Sequence, residues 1–304
     1  MKTKALFFAC LFCVSYNTYS QYYFYNDKYY DNDVVFEFGG SIGAMNAFTD
    51  LGGRKGRGKN GVKDYNIKNT QLSGSFFISA IYRYDIAFRL EGTIGQVKAY
   101  DSILKAVAPT TSQRYERNLS FRSPIAEIML VTELYPVLIF SHFNQDKFPS
   151  LIQPYVLGGL AFFHFNPQAK LNNNWVDLQP LHTEGQGFKE YPDRKVYSLN
   201  QVSFPVGVGV KWEATPFLNL RLEFVRRISR TDYLDDVSTR YIDPAYFSNY
   251  LSGTKLSEAL QLHDRHKPGA ETAHIDGIRG TPKNKDSYFN LSFKLSYIFN
   301  REKR

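Results

Sequence analysis

The segment 288–299 constrains the fold more than any other part of the chain, because its residues alternate between apolar and polar. A strand places successive side chains on opposite faces, so one face of this segment is continuously apolar. That face carries Phe289, Leu291, Phe293, Leu295, Tyr297 and Phe299. It could pack against a second sheet in a soluble sandwich or against lipid in an outer-membrane barrel. A final aromatic residue such as Phe299 is typical of the barrel.

Seven further segments show the same alternation. The eight predicted strands are 34–44, 71–82, 86–94, 123–135, 155–165, 202–212, 218–224 and 288–299. The fifth is apolar on both faces and is the least clearly defined. Together they predict an all-β protein, an eight-stranded antiparallel transmembrane β-barrel over residues 34–299.

The connections between these strands alternate in length. Tyr84–Asp85 and 213–216 are tight turns, and 136–153 is longer but lies on the same side. The other side receives the longer, more polar stretches 45–70, 98–118, 166–200 and 226–286. Outer-membrane barrels have short periplasmic turns and long extracellular loops, so the pattern favours a barrel with four long extracellular loops over a soluble sandwich.

The beginning of the chain has the features of a secretion signal. Lys2 and Lys4 precede the apolar run 5–14, and Thr18 and Ser20 precede Gln21, which suits cleavage after Ser20. This predicts a removable signal peptide at 1–20, a periplasmic segment at 21–33 and a periplasmic tail at 300–304. Both cysteines of the sequence lie inside the predicted signal. We therefore expect no disulfide and no thiol catalysis in the mature chain, which we assign to the outer membrane.

Composition agrees with a barrel in lipid. The sequence has 22 Tyr and 25 Phe, yet its mean hydropathy is −0.36, because apolar residues occur at alternate positions instead of in long runs. Without Lys2 and Lys4 the net charge falls from +8 to +6. In a secreted chain we assign this charge to loops and to contact with anionic lipid headgroups rather than to nucleic acid.

The predicted strands carry charged residues on their inward faces. An eight-stranded barrel leaves an interior that side chains fill, and unpaired charge there is costly. We therefore expect structural ion pairs, a nearly neutral lumen and no open diffusion pore. The inward charges are Glu37, Glu91, Glu127, Glu133, Glu223, Arg89, Lys211, Arg221 and Lys294.

Two patterns in the first long loop suggest nucleotide binding. Residues 53–59 are similar to a phosphate-binding loop, but Asn60 stands where Ser or Thr would hold magnesium. Gly56, Gly58 and Gly61 have the dinucleotide spacing. Neither is followed by a helical pattern, which both mechanisms require. A flexible basic loop is the favoured interpretation, and we expect no bound nucleotide.

Three histidines are candidates for metal or catalytic chemistry. His263 and His266, with Asp264, have the spacing of ligands on one helix face, but no third ligand follows, so a solvated loop is favoured. His164 is the histidine that falls near the outer rim, and no partner for it is evident. We therefore expect no catalytic residues and no cofactor.

The acidic segment of the fourth loop leaves two interpretations open. Asp232, Asp235 and Asp236 could bind calcium through oxygen ligands, although an EF-hand glycine is missing. The favoured interpretation is that these side chains cap turns and fold the segment over the barrel mouth.

Three groups of residues carry a resemblance to a known family. The fourth-loop group is Thr231, Asp232, Tyr233, Asp235, Asp236, Ser238 and Tyr241. The third-loop group is Gln179, Pro180, Glu184, Gly185, Gln186 and Gly187. The fifth-strand group runs from Pro154-Tyr155 through Gly158-Gly159 to Phe165-Asn166-Pro167. Together they resemble the PorG-type outer-membrane barrels of Bacteroidetes over residues 34–299. His182 departs from the pattern, since a small residue is expected there.

The resemblance implies a non-enzymatic component of the type IX protein secretion system. In that family the barrel contacts a periplasmic ring made of a lipoprotein and its partner. The contact would use the periplasmic turns, the segment 21–33 and the tail. Two alternatives remain: a surface-exposed, adhesin- or receptor-like barrel that binds through its long loops, and a lipid-modifying enzyme.

Overall fold

A computed structural model of the protein describes residues 32–52, 66–143, 151–270 and 274–301. Its strands are β1 (Val34–Phe48), β2 (Gln71–Tyr82), β3 (Ile86–Tyr100), β4 (Ser120–Leu134), β5 (Ile152–Phe165), β6 (Gln168–Leu171), β7 (Asn174–Asp177), β8 (Asn200–Thr215), β9 (Leu218–Ser229) and β10 (Ser287–Phe299). The predicted signal peptide, most of segment 21–33 and the glycine-rich part of the first loop lie outside the described residues.

Eight of these strands form a closed antiparallel barrel, as predicted. The strand order is β3-β2-β1-β10-β9-β8-β5-β4, and β4 pairs back onto β3. The closing pair runs from Ile86 opposite Leu134 to Tyr100 opposite Ser120. The short strands β6 and β7 form a hairpin above the barrel, joined to β4 where Arg122 lies opposite Gln168. Closure removes strand edges, which is what lets a sheet cross a bilayer.

Several strands extend farther toward the extracellular side than the alternation predicts. β1 continues to Phe48, β3 to Tyr100 and β9 to Ser229. The hydrogen-bonded ladder continues there, but the outward side chains meet headgroups and water instead of hydrocarbon. Polar residues such as Lys98 and Arg226 can therefore face outward, and the apolar alternation stops before the strand does.

The chain also contains helices that strand periodicity cannot reveal. They are α1 (Ala108–Arg117), α2 (Pro136–Phe143), α3 (Phe247–Tyr250) and α4 (Gly253–His263). α2 lies in the connection between β4 and β5, on the periplasmic side, and the others lie in extracellular loops. None of the helices in the described ranges combines the length and apolarity needed to cross a membrane.

The outside of the barrel is apolar. Phe76 is 82% exposed, Leu72 is 80% exposed and Ile94 is 71% exposed. Near the periplasmic rim, the Phe36 and Phe299 rings lie 5.7 Å apart, centroid to centroid. Burying such a surface in hydrocarbon removes it from water, whereas exposing it would be unfavourable. A closed barrel with this exterior is an integral outer-membrane protein.

Paired charges fill the middle of the lumen. Arg89 lies 3.1 Å from Glu91, 2.6 Å from Glu133 and 2.7 Å from Glu223. Arg221 contacts Glu37 and lies 2.8 Å from Glu133. Lys294 lies 2.5 Å from Glu91 and 3.1 Å from Glu223. Each base thus serves two or more acids, and the side chains form one continuous network.

Two of the predicted inward charges behave differently from the expected pairing. Glu127 pairs with Arg227 at 2.9 Å, a base missed because β9 was expected to end at Phe224. Lys211 forms no ion pair or hydrogen bond within the described ranges. Its Nζ lies 4.3 Å from the centroid of the Tyr135 ring, a cation–π contact. The expectation that all nine charges would pair with one another is therefore wrong for Lys211.

The predicted periplasmic tail begins by folding back into the barrel. Arg301 is buried, and its Nη2 lies 3.1 Å from Oε2 of Glu213. Its Nη1 donates a hydrogen bond of 2.7 Å to the carbonyl oxygen of Pro216. This residue closes the periplasmic end of the lumen, so it is not part of a free tail, and residues 302–304 lie outside the described residues.

A close approach between two strands positions one of the lumen acids. The Tyr155 ring packs on Gly209, where an added Cβ would lie 2.4 Å from Cζ of the tyrosine. Only glycine leaves this space. Tyr155 then donates a hydrogen bond of 2.7 Å to Glu223. The glycine in β8 therefore determines the position of a carboxylate on β9.

Two apolar layers enclose the charged network. The upper apolar layer consists of Met45, Ala47, Leu51, Val97, Ala99, Leu119, Phe121, Ile125, Phe163, Phe165, Tyr197, Leu234, Val237 and Tyr288. The lower apolar layer consists of Val35, Ile81, Tyr84, Ala87, Met129, Val131, Tyr135, Leu138, Tyr155, Leu157, Ala161, Val225 and Ile298. The lumen is thus packed with side chains, as an eight-stranded barrel requires. The inward face of β5 is apolar because it supplies several residues to these layers.

Replacing Arg89 by alanine should strongly destabilise the barrel. The change leaves three buried carboxylates without their shared base, and breaking a buried pair costs about 3–5 kcal/mol. The free energy of unfolding in urea, measured in lipid vesicles, checks this. The matched control is Arg83→Ala, which removes an exposed pair with Asp33 at 3.6 Å and should cost under about 1 kcal/mol. Equal losses in the two variants would contradict the structural role of the network.

Candidate functional site

The extracellular loops fold together into one structure, here called the cap. It consists of the described parts of 49–70, 101–119, 166–199 and 230–286. The cap contains the acidic and glycine-containing segments in which sequence analysis placed the candidate interaction residues. Its geometry decides whether those side chains are available to a partner.

Glu184 joins the third loop to the fourth. The Glu184 side chain is fully buried. Its carboxylate accepts hydrogen bonds from the backbone N–H of Ser238 at 3.0 Å and of Thr239 at 2.9 Å. It also accepts one of 2.7 Å from the Thr239 hydroxyl and pairs with Arg279 at 2.9 Å. Four donors on one carboxylate hold the two loops together.

Asp236 forms a second junction between the same loops. The Thr183 hydroxyl donates to Oδ2 at 2.5 Å, and the Tyr197 hydroxyl donates to Oδ1 at 2.6 Å. The Asp236 backbone has φ +62°, a left-handed conformation that aspartate tolerates better than most residues. Burial raises the pKa of the Asp236 carboxyl to about 6, although Arg279 opposes the shift.

Arg117 connects three of the loops. Its Nε and Nη2 donate to the two oxygens of Asp101 at 2.8 and 3.0 Å, a bidentate pair. The same guanidinium donates to the carbonyl oxygens of Arg279 at 2.5 Å and Asp50 at 3.0 Å. The second loop is thereby joined to the first and the fourth.

The cap has its own apolar core, separate from the upper apolar layer. Its members are Ala169, Leu178, Leu181, Phe188, Ile242, Phe247, Ala259 and Leu262. Phe188 stacks on Tyr250 with ring centroids 4.0 Å apart. The third loop reaches this core through a short 3-10 helix, Gln179–Leu181, with Pro180 in its first turn. The apolar core and the buried polar contacts make the cap a folded unit.

Most residues of the family resemblance are internal parts of the cap. Thr231, Asp232, Asp235, Asp236, Ser238 and Tyr241 are buried, as are Glu184 and Gln186. Tyr233 is half-buried and stacks on Tyr197 at 4.5 Å. Gly185 and Gly187 have φ of +72° and +83°, so both positions require a residue that tolerates the left-handed region. His182 has φ +50°, in the left-handed region, which histidine adopts more often than most residues other than glycine.

The fourth-loop acids lie close to other buried acids. Asp232 and Asp235 interact with Asp50 and Asp286, which come from the first loop and from the residue before β10. Burial raises the pKa of Asp232 to about 7 and that of Asp50 to about 6. Burial, with repulsion from the other three acids, also raises the pKa of Asp286. Folding of the cap therefore favours the protonated forms.

These acids do not form a recognisable metal centre. Within the described residues, no three His, Cys, Asp or Glu side chains are grouped in a way that could hold a metal ion. Asp236 is directed toward Thr183 and Tyr197, whereas Asp235 accepts a hydrogen bond of 3.0 Å from the backbone N–H of Val237. The arrangement therefore gives no support to the calcium interpretation of Asp232, Asp235 and Asp236.

The favoured interpretation of His263 as part of a solvated loop is wrong. His263 is the last residue of α4 and is buried, with Nδ1 2.8 Å from the carbonyl oxygen of Thr183. Burial lowers the pKa of His263, which keeps the ring neutral. His266 pairs instead with Asp264 at 2.5 Å. His164 is exposed, and its Nδ1 lies 2.9 Å from Oδ1 of Asn200.

Sequence reasoning missed the bases that organise the cap. Arg117 and Arg279 are both buried, and together they contact all four loops. Neither lies in a periodic segment or in a motif with a fixed spacing, so only the three-dimensional arrangement reveals them.

Comparisons with known proteins give only distant structural similarity. No protein-family model matches this chain, and no curated protein matches it. Neisserial surface protein A is 10% identical, with TM-score 0.38, over 88% of this chain and 99% of that one. The outer membrane protein OprG from Pseudomonas aeruginosa is 9% identical, with TM-score 0.36, over 87% and 95%. AlkL is 12% identical, with TM-score 0.33, over 88% and 91%. Similarity at this level carries no argument about function, and the barrel is established by its strand register.

Replacing Glu184 by alanine should loosen the cap without unfolding the barrel. The change leaves two backbone N–H groups and Arg279 without their acceptor, and each buried unsatisfied group costs about 1–3 kcal/mol. We expect faster cleavage of the loops when protease is added to intact cells.

The matched control for this experiment lies in the same loop. Glu190 accepts a hydrogen bond of 2.8 Å from Tyr250 at an exposed site, so Glu190→Ala should leave cleavage unchanged. Cleavage of Glu184→Ala at the wild-type rate would show that the junction does not hold the cap closed.

The buried acids should make the cap less stable as pH rises. Asp232 has a folded-state pKa of about 7, above its usual 3.8, so ionisation opposes folding. The contribution of Asp232 to the stability of the closed cap is greatest when the pH is below 3.8, the usual pKa of the group. It is lost as the pH rises toward the folded-state pKa of about 7. Asp50, Asp235, Asp286 and the nearby Glu184 add negative charge, and Lys285 offsets part of it.

Replacing Asp232 by asparagine tests this dependence. At about pH 8 the variant should show slower amide hydrogen exchange in the cap than the wild type, and at about pH 4 the two should agree. Exchange rates are corrected for the intrinsic pH dependence, and the exposed Asp193→Asn serves as control. A variant with less protection than the wild type at high pH would refute the sign of the effect.

Proposed function

We propose that this chain is a non-enzymatic outer-membrane barrel of the type IX secretion system, which anchors or contacts the periplasmic ring complex. The resemblance to PorG-type barrels supports this role, and the packed lumen suits an anchor better than a conduit. Its proposed partners are outer-membrane lipid and the ring lipoprotein with its partner, and neither nucleic acid nor nucleotide enters the proposal.

Helix α2 is the observation that carries the proposal. It lies at the periplasmic end, in the connection that sequence analysis selected for contact with a ring. Leu138 is buried in the lower apolar layer, whereas Phe140 is 66% exposed and Val137 is 41% exposed. The helix is held against the barrel by the burial of Leu138, and the N–H groups of Leu138 and Ile139 both donate to the Tyr135 carbonyl oxygen at 3.1 Å as hydrogen bonds of its first turn. A rigid helix that presents apolar side chains is suited to bind a protein partner.

A double replacement on α2 tests the contact with the ring. Val137→Ser with Phe140→Ser should reduce co-purification of the ring proteins from detergent extracts, together with export of secreted proteins. Truncating an apolar interface side chain that acts as an anchor costs about 2 kcal/mol or more, so capture should fall at least tenfold. Deleting 137–147 should have the same effect. Unchanged capture and unchanged export would count against the proposal.

The second candidate function is a surface-exposed, adhesin- or receptor-like barrel, and the outer surface of the cap favours it. Ile275 and Ile278 are exposed apolar residues of the fourth loop, and Ile278 is attached to the cap by a bridge to Arg240. Exposed apolar residues on a rigid support are a feature of binding surfaces.

The two candidates are separated by the assay in which the cap variant shows a defect. Under the secretion proposal, Ile275→Ser with Ile278→Ser leaves ring capture and export unchanged, so this pair is the control for the α2 variant. Under the surface-binding alternative, the cap pair abolishes ligand binding by whole cells while export stays normal.

A further inference from the structure

The charges of the barrel strands are divided unequally between the two faces. All six strand carboxylates, Glu37, Glu91, Glu127, Glu133, Glu213 and Glu223, are buried in the lumen. The strand bases Lys98, Arg122 and Arg226 face outward instead, and Arg230 follows β9 directly at an exposed position. Each of the four lies toward the extracellular end of its strand. The outer surface at this level is therefore basic.

Lys98 and Arg122 are directly opposite each other in the ladder between β3 and β4. Like charges in this arrangement repel and destabilise a strand pair. Neither side chain forms an ion pair with a carboxylate of the described residues. Asp177 in the neighbouring hairpin is engaged by Asn166 at 2.9 Å and by Gln168 at 2.7 Å through the same oxygen. Among the described residues, no carboxylate is therefore in direct contact with either cation.

Both side chains are nevertheless held in place. The Arg122 guanidinium lies 3.9 Å from the centroid of the Trp175 ring, and its Nε donates a hydrogen bond of 2.8 Å to Gln168. Lys98 lies over the Tyr100 ring with Nζ 5.9 Å from the centroid. Two cations fixed side by side on aromatic supports form a site for an anion that both can share.

The position of Lys98 and Arg122 along the membrane normal identifies the part of the bilayer that they face. A transmembrane strand needs about 9–11 residues to cross the hydrocarbon. The outward apolar residues of β3 end at Ile94, and those of β4 begin at Ala126, so Lys98 and Arg122 each lie four residues farther out. This position is at the headgroup level of the outer leaflet. Aromatic and basic side chains belong at that level.

A second outward site shows the same combination. The Arg226 guanidinium lies 5.3 Å from the centroid of the Phe48 ring, and Arg230 lies 5.4 Å from that of Phe204. Arg226 also receives support from the Ser287 hydroxyl at 3.1 Å. The association of bases with aromatic rings is therefore found on two sides of the barrel.

We propose that Lys98 and Arg122 bind the phosphate of an outer-leaflet phosphoglycolipid, and that Arg226 and Arg230 form an equivalent contact on the other side. The lipid phosphate supplies the negative charge that the strand pair lacks, and the acyl chains cover the apolar band below. The proposal does not depend on a role in secretion.

Lipid retention by the full-length barrel tests this site. The purified protein is exchanged into mixed micelles that contain diphosphorylated lipid A or the dephosphorylated lipid with the same acyl chains, and bound lipid is counted by native mass spectrometry. Lys98→Gln with Arg122→Gln should weaken retention of the phosphorylated lipid by about thirtyfold, the factor for two surface bases. Retention should fall with added salt, and excess inorganic phosphate should not displace the lipid.

Control variants separate charge from folding. Lys189→Gln with Lys255→Gln removes two exposed loop bases and should retain lipid normally. The charge-preserving change Lys98→Arg leaves Arg122 on the Trp175 ring and should retain lipid within about threefold of the wild type. Folding of each variant is checked by its migration on gels before and after heating. Equal retention of both lipids, equal retention by the Gln variant, failure of the charge-preserving variant, or full displacement by inorganic phosphate would overturn the proposal.

Discussion

The exclusion of water from the outside of the barrel is the constraint on which the rest of the structure depends. It requires closure of β3 onto β4 and an apolar outward face, and so it sends every strand carboxylate into the lumen. Once inside, those carboxylates need bases, and Arg89 and Arg221 each bridge acids from different strands. The network therefore follows from the environment of the barrel and fixes the relative positions of strands distant in sequence.

The cap also contains buried acids and bases, but not every acid of the cap lies beside a base. In the lumen, the buried acids lie beside buried bases, although Lys211 contacts an aromatic ring instead of a carboxylate. In the cap, Glu184 has a buried base in Arg279, whereas Asp232 and Asp286 are buried beside other acids. The upper apolar layer separates the two polar networks. We therefore expect a change in pH to act on the acids of the cap, whose pKa values are raised by burial.

The strands could be predicted from the sequence because the alternation of apolar and polar residues lies within each strand. The cap could not, because its contacts join residues far apart in the chain. Alternation in a strand reports only which side meets lipid, and residues 71–82 were predicted with their observed bounds. The apolar alternation stops at the edge of the hydrocarbon, so β9 was predicted to end five residues too early, at Phe224. The prediction therefore omitted Arg227 from the lumen. The buried junctions at Glu184 and Asp236 join residues about 50 positions apart, and no spacing within one loop reveals such contacts. His263 was misjudged for the same reason, since its helix is buried by another loop.

A packed lumen and an internally satisfied cap leave three outer surfaces on which function can depend. The apolar side chains of α2 face the periplasm, and the cap presents apolar residues to the cell exterior. Between them, the outward bases meet the headgroups of the outer leaflet. These three surfaces face different surroundings, so variants of one surface can be compared with variants of the other two in the same protein.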